Sequence, residues 1–169
     1  MRPMLIAVLT LTWPTLAFAW GAPKLAWEIR EGLSGPESAH YEPATKTVFI
    51  SNVAGDPGGK DGVGWITQVS PEGRVLEPKW LSGLNAPKGI RSRDGKLFIA
   101  DIDAVIEVEA RTGKILRKVI IEDAKLLNDV AVDASGTVFV SDTMGGRVWR
   151  IPPGAGIALA AGAPAQASP

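Results

Sequence analysis

Three short apolar runs recur along the chain with the same ending: "VFISN" (Val48 to Asn52), "LFIAD" (Leu97 to Asp101) and "VFVSD" (Val138 to Asp142). Ahead of each lies a polar turn, within "YEPATKTVFISN", "SRDGKLFIAD" and "VDASGTVFVSD", and another run of strand character. Positions such as Val130-Val132 and Val138-Val140 alternate with polar or small residues, the period of a β-strand. A third run follows every time: "GWITQV" from Gly64, "AVIEVE" from Ala104 and "RVWRI" from Arg147. A further turn leads to a fourth, in "SPEGRVLEPKW" (Ser70 to Trp80) and "EARTGKILRKVI" (Glu109 to Ile120).

The closing residues Asn52, Asp101 and Asp142 stand 49 and 41 residues apart. The strand openings, read at Glu37, Pro87 and Asn128, stand 50 and 41 apart. Four short strands repeating every ~40–50 residues predict the blades of a β-propeller. The expected fold is therefore all-β, with three four-stranded blades over about residues 36–80, 86–121 and 127–160. "WEIREGLSGPE" (Trp27 to Glu37) echoes "WLSGLNAPK" (Trp80 to Lys88), so Lys24 to Arg30 is expected to be the outermost strand of a blade that closes the ring. The last stretch, "PPGAGIALAAGAPAQASP", reads as the turn and weak outer strand of the third unit, or as a low-complexity tail over residues 152–169. Asn128 plus one repeat of 41 falls on residue 169, where a fourth blade would open, so a propeller truncated after three blades is expected. Open faces between blades would then favour self-association.

Composition narrows the functional classes. The 169 residues suffice for one domain with a sizeable core. Lys and Arg total 18 against 18 Asp and Glu, with no basic run, so no nucleic-acid footprint is present. The absence of cysteine excludes disulfides, thiolate metal sites and cysteine nucleophiles. Residues 1–19, "MRPMLIAVLTLTWPTLAFA", combine Arg2, an apolar run and Ala17-Phe18-Ala19, the layout of a secretory signal. The run is too short for a span of about 20 apolar residues, so no stable membrane anchor is expected. The mature domain over residues 20–151 is expected in the periplasm or outside the cell.

"GPESAHYEPATKTVFISN", "LNAPKGI" and "LNDVAVDASGTVFVSD" together resemble the regucalcin, gluconolactonase and luciferin-regenerating family of six-bladed propellers over roughly Trp27 to Ile151. That resemblance implies a divalent cation, usually calcium, on the central axis, with Glu37 and Asn128 as ligands and Pro87 in the non-ligating slot of the second blade. It also implies a metal-dependent hydrolase of lactones or related esters in a full-length protein. The position two residues before Asn128 binds substrate as an arginine in the sugar-lactone hydrolases of that family, and here it is Leu126. A non-catalytic propeller, acting as a binding or scaffold module, is the competing expectation.

Asp129 is the candidate general base. Asp101 and Asp142 are expected to cap turns, and His40, the only histidine, to be structural. Residues 52–64, "NVAGDPGGKDGVG", lack the spacing of a calcium loop and are expected to form a long turn roofing the axis. Trp27, Trp65, Trp80 and Trp149 are expected on outer strands, packing between blades. No nucleophile elbow or phosphate loop is present. Mass spectrometry of exported protein should find the mature chain beginning at Trp20; molecules retaining Met1 in the majority would contradict the leader reading.

Overall fold

The computed structural model describes residues 22–154 and the backbone of residues 158–162. The expected leader, and most of the C-terminal tail, lie outside the described residues. Twelve strands follow in chain order: β1 (Pro36–Glu42), β2 (Thr47–Asn52), β3 (Gly64–Val69), β4 (Val75–Leu84), β5 (Pro87–Arg93), β6 (Lys96–Asp101), β7 (Ala104–Glu109), β8 (Ile115–Ile120), β9 (Leu127–Val132), β10 (Val138–Asp142), β11 (Arg147–Ile151) and β12 (Ala158–Gly162). They form three antiparallel meanders, β1 to β4, β5 to β8 and β9 to β12. The inner strands β1, β5 and β9 lie side by side.

The cores sit between sheets. Phe49, Ile66 and Leu81 of the first sheet pack against Ile90, Leu97, Ile99, Ile106 and Val108 of the second. From the opposite face of the second sheet, Phe98, Ala100 and Val105 pack against Val130, Val138, Val140 and Trp149 of the third. Successive side chains on a strand point to opposite faces. A sheet covered on both sides therefore needs apolar residues at adjacent positions, and this is why "LFIA" and "AVI" run without alternation.

Hairpin turns differ between the sheets. Arg93 pairs with Lys96, so Asp94 and Gly95 alone turn the chain, at φ of 50° and 73°. That is the two-residue type I′ geometry which Asp-Gly favours. The corresponding connections span residues 43–46 in the first sheet and 133–137 in the third.

Asn52, Asp101 and Asp142 do more than cap local turns. Each closes the second strand of its sheet and reaches back to the segment leading into the inner strand. Asn52 Oδ1 accepts the Ser34 N–H at 3.0 Å. The Asp101 carboxylate accepts the N–H groups of Asn85 and Ala86 at 3.0 and 2.8 Å. Asp142 accepts those of Lys125 and Leu126 at 3.1 and 2.9 Å, with Gly145 N–H at 3.0 Å and Trp149 Nε1 at 3.4 Å. The echo in the sequence is thus one clip repeated three times.

Residues 24–30 form no strand, contrary to the expectation of a ring-closing outer strand. They pair with none of the three sheets. Instead Trp27 Nε1 donates to Pro71 O at 2.9 Å and its ring lies over Gly73, where a Cβ would collide with it. Of the other described tryptophans, only Trp80 is on an outermost strand, tilted against Phe49 at 4.8 Å. Trp65 and Trp149 belong to the third strands β3 and β11, and Trp149 joins the core between sheets.

The clips differ in their acid chemistry. Burial pushes the Asp101 carboxyl up, and its two backbone partners do not offset this. Burial also acts on Asp142, but the N–H groups of Leu126, Lys125 and Gly145, with the Trp149 indole, outweigh it and leave the pKa lowered. Asp142 therefore contributes stability present above its unfolded value near ~3.9 and lost as pH falls through the folded value. Asp101 has the opposite sign, because its folded form takes up a proton first. Asp142→Asn should flatten the acid limb of a stability-against-pH curve, and Asp101→Asn should steepen it. At neutral pH, Asp142→Ala should lower unfolding free energy by about 2 kcal/mol in chemical denaturation, since it strands part-buried N–H groups and the buried Trp149 indole. Asp142→Asn should lose less, because Asn52 performs the same task in the first sheet.

Candidate functional site

The heads of the inner strands are built alike. Pro36 pairs with Asn52, Pro87 with Asp101 and Leu127 with Asp142; the next pairs are Ala39 with Ile50, Ile90 with Ile99 and Val130 with Val140. Each inner strand therefore carries one extra residue at its head, a β-bulge that re-aims its side chains. A serine hydroxyl holds two of the bulges: Ser51 Oγ accepts the Ser38 N–H and Ser141 Oγ the Asp129 N–H, both at 3.0 Å.

This register corrects the assignment of the second slot. The counterpart of Glu37 and Asn128 is Lys88, and Pro87 corresponds to Pro36 and Leu127. Counting along the sequence placed the slot at Pro87 because hairpin lengths vary between sheets. The usable signal was the repeated clip residue, which pairs with the first residue of each inner strand.

Glu37 and Asn128 do line one cleft. Its walls are Glu37, Ser38, Gly89, Arg91, Asn128 and Asp129, and its volume is about 300 Å³. Gly89 lets β5 and β9 approach: a Cβ there would lie 2.7 Å from Asp129 Cα and 2.8 Å from Asn128 O. Partial burial pushes the Glu37 carboxyl up; the Lys88 ammonium pulls it down and the Asp129 charge raises it further. Asp129, the candidate base, is engaged: one oxygen pairs with Arg91 Nη2 at 3.1 Å and the other accepts the Val130 N–H at 2.9 Å. His40 Nε2 and Ser92 Oγ are 2.8 Å apart, bridging β1 and β5. Burial, then the nearby Arg91 charge, holds the imidazole pKa down, with Glu42 opposing.

A second cavity opens between the head of β1 and residues 53–57, lined by Gly35, Pro36, Glu37, Val53, Pro57 and Lys88 among others. The long turn does roof this end. Lys88 Nζ donates to Pro57 O at 2.9 Å, and Lys60 pairs with Asp103 across the turn. Behind it Val53, Ala86 and Ile102 form a small apolar cluster against which Leu126 packs. Leu126 is thus part of the wall supporting the site, not a polar arm reaching into it. Ile102 holds a φ of 54°, a strained value for a β-branched residue, beside this cluster.

Similarity to known proteins lies in shape. No protein-family model matches the chain, and no curated protein matches it. The chain superposes on a catalytically inactive variant of virginiamycin B lyase from Staphylococcus aureus with quinupristin, at a TM-score of 0.62 and 13% identity, covering 83% of this chain and 45% of that one. It also superposes on a nidogen/laminin complex chain at a TM-score of 0.54 and 14% identity, covering 72% and 44%. These neighbours are propeller proteins.

The fold is a β-propeller, present as three blades.

The chain spans about half the length of the solved structures it matches. At these identities the likeness carries the propeller fold and no activity.

The implied calcium site can be tested on the donor set. Calcium takes 6–8 oxygen ligands. Among the described residues, the three blade heads carry Glu37, Lys88 and Asn128 at one register position; Glu37 and Asn128 line one cleft, and Lys88 shares the neighbouring cavity with Glu37. No three acidic, histidine or cysteine side chains cluster as ligands among the described residues. The Glu37 and Asn128 side chains, with the Lys88 ammonium acting on Glu37, fall short of the donor set a calcium ion takes.

Gly89→Ala should push β5 and β9 apart and destabilise the protein by about 1–3 kcal/mol in denaturant titration, the range for forced overpacking. The amide signals of Asn128 and Asp129 should move more than those of β7 or β8; unchanged stability would show that the close approach carries no constraint.

Proposed function

We propose that the axial end of these blades binds a small, oxygen-rich molecule, and that the chain belongs to an exported propeller acting as a binding module. The observation carrying this reading is the convergence of Glu37, Arg91, Asn128 and Asp129 on one cleft from three different blades. Carboxylates accept hydroxyl protons, while guanidinium and amide groups donate to carbonyl and hydroxyl oxygens. Such a set suits a polyhydroxylated acid, lactone or ester. The leader-like first 19 residues support a periplasmic or secreted setting.

Hydrolysis of lactones or related esters is the second reading. Its support is the raised pKa of Glu37, which brings a carboxyl closer to the range useful for proton transfer, with Asn128 lining the same cleft. Lys88 in the second slot, Leu126 in the wall and the Arg91 pairing of Asp129 weigh toward binding without turnover.

Nuclear magnetic resonance titration with a sugar lactone, and separately with its ring-opened acid, tests both readings. Amide shifts should localise to Ser38, Gly89, Asn128 and Asp129, and Asn128→Ala should weaken binding by roughly tenfold, the worth of one good hydrogen bond. Acid release should stay at the uncatalysed rate. Catalysed opening that Glu37→Gln abolishes would establish the hydrolase reading instead, and the absence of localised shifts would remove the site.

A further inference from the structure

Lys88 is one of the few buried charged residues, 6% exposed, and the bulge register puts it at the head of the middle inner strand. Its ammonium is fixed at both sides: Nζ donates to Ala86 O at 3.0 Å within its own blade and to Pro57 O at 2.9 Å in the roofing turn. An ammonium has three N–H donors, so one remains for Glu37 or for an oxygen of a bound molecule. Glu37 lines the same cavity as Lys88.

This end already holds cations of its own beside its carboxylates, and the Asp101 carboxyl also acts on Lys88. Two carboxylates, Glu37 and Asp129, face two cations, Lys88 and Arg91, and Asp129 and Arg91 are paired directly. A divalent cation drawn to Glu37 would meet the charge of the Lys88 ammonium, which acts on that carboxylate and cannot swing away without giving up both carbonyl partners beneath the turn. Buried donors are costly to strand, so the turn and the lysine hold one another.

We propose that Lys88 is the resident cation of this site: its ammonium takes the electrostatic place of a divalent ion, and the axial end binds a neutral or anionic oxygen ligand without calcium. The inference concerns the donor set of this end alone, so it stands or falls separately from whether the propeller hydrolyses its ligand.

Calorimetric titration of the full chain with calcium chloride, and with magnesium chloride, provides the test. The wild-type protein should show no saturable binding at millimolar metal. Lys88→Gln and Lys88→Met should bind calcium at least roughly tenfold better, the factor expected when one positive charge is removed from a few ångströms away in water-like surroundings. Adding Glu37→Gln should abolish the gain, and Lys88→Arg should show none. Circular dichroism and thermal melts with and without calcium confirm that each variant is folded and report the same binding independently. Saturable calcium binding by the wild type that Glu37→Gln removes would overturn the proposal, as would an equal response from the wild type and folded Lys88→Gln. If neither uncharged variant folds, the wild-type and Glu37→Gln titrations decide by themselves.

Discussion

Between one blade and the next, the chain must pass from an outer strand back to the axis, and this lead-in segment has no ladder partner for its N–H groups. Buried backbone donors must be satisfied. Here the side chain closing the second strand does it: Asn52 for Ser34, Asp101 for Asn85 and Ala86, Asp142 for Lys125 and Leu126. Everything at the axial end hangs from this clip. It fixes where each inner strand begins, hence where the bulge falls, hence which side chains reach the centre.

The clips are the same device with different electrostatics. Asn52 is neutral and spends its amide on Ile50 O and Thr67 Oγ1. Asp101 and Asp142 are both fully buried, yet their pKa values move in opposite directions. Burial weighs more heavily on Asp101, where it outweighs the N–H groups of Asn85 and Ala86, whereas four donors outweigh it at Asp142. A buried carboxylate is tolerable to the degree that hydrogen bonds replace its lost water.

At the axis the blades contribute unlike chemistry through like geometry. Glu37, Lys88 and Asn128 occupy one structural position, and Ser38, Gly89 and Asp129 the next. The small residue of the second blade permits the close approach of β5 and β9, and Arg91 pairs with Asp129 across it. The roofing turn is drawn down by Lys88 and by the Lys60–Asp103 pair, so binding chemistry and loop position are tied to the same lysine.

The repeated "VFISN", "LFIAD" and "VFVSD" runs, their period of 40 to 50 residues and their polar turns determined the propeller fold and the four-strand blades, because strand alternation and turn chemistry are local properties, while Glu37 and Asn128 were singled out by the family resemblance. Lys88 was hidden. Its place depends on a one-residue bulge and on hairpins of unequal length, and a shift of one residue exchanges a proline for an ammonium. Nor did the resemblance of "WEIREGL" to "WLSGL" make a strand of residues 24–30, since a strand needs a partner edge and not only a pattern. Pairing register, the reach of Asp142 and Asp101 across the sheet, and the meeting of charged side chains from three blades are long-range matters, and only the tertiary structure decided them.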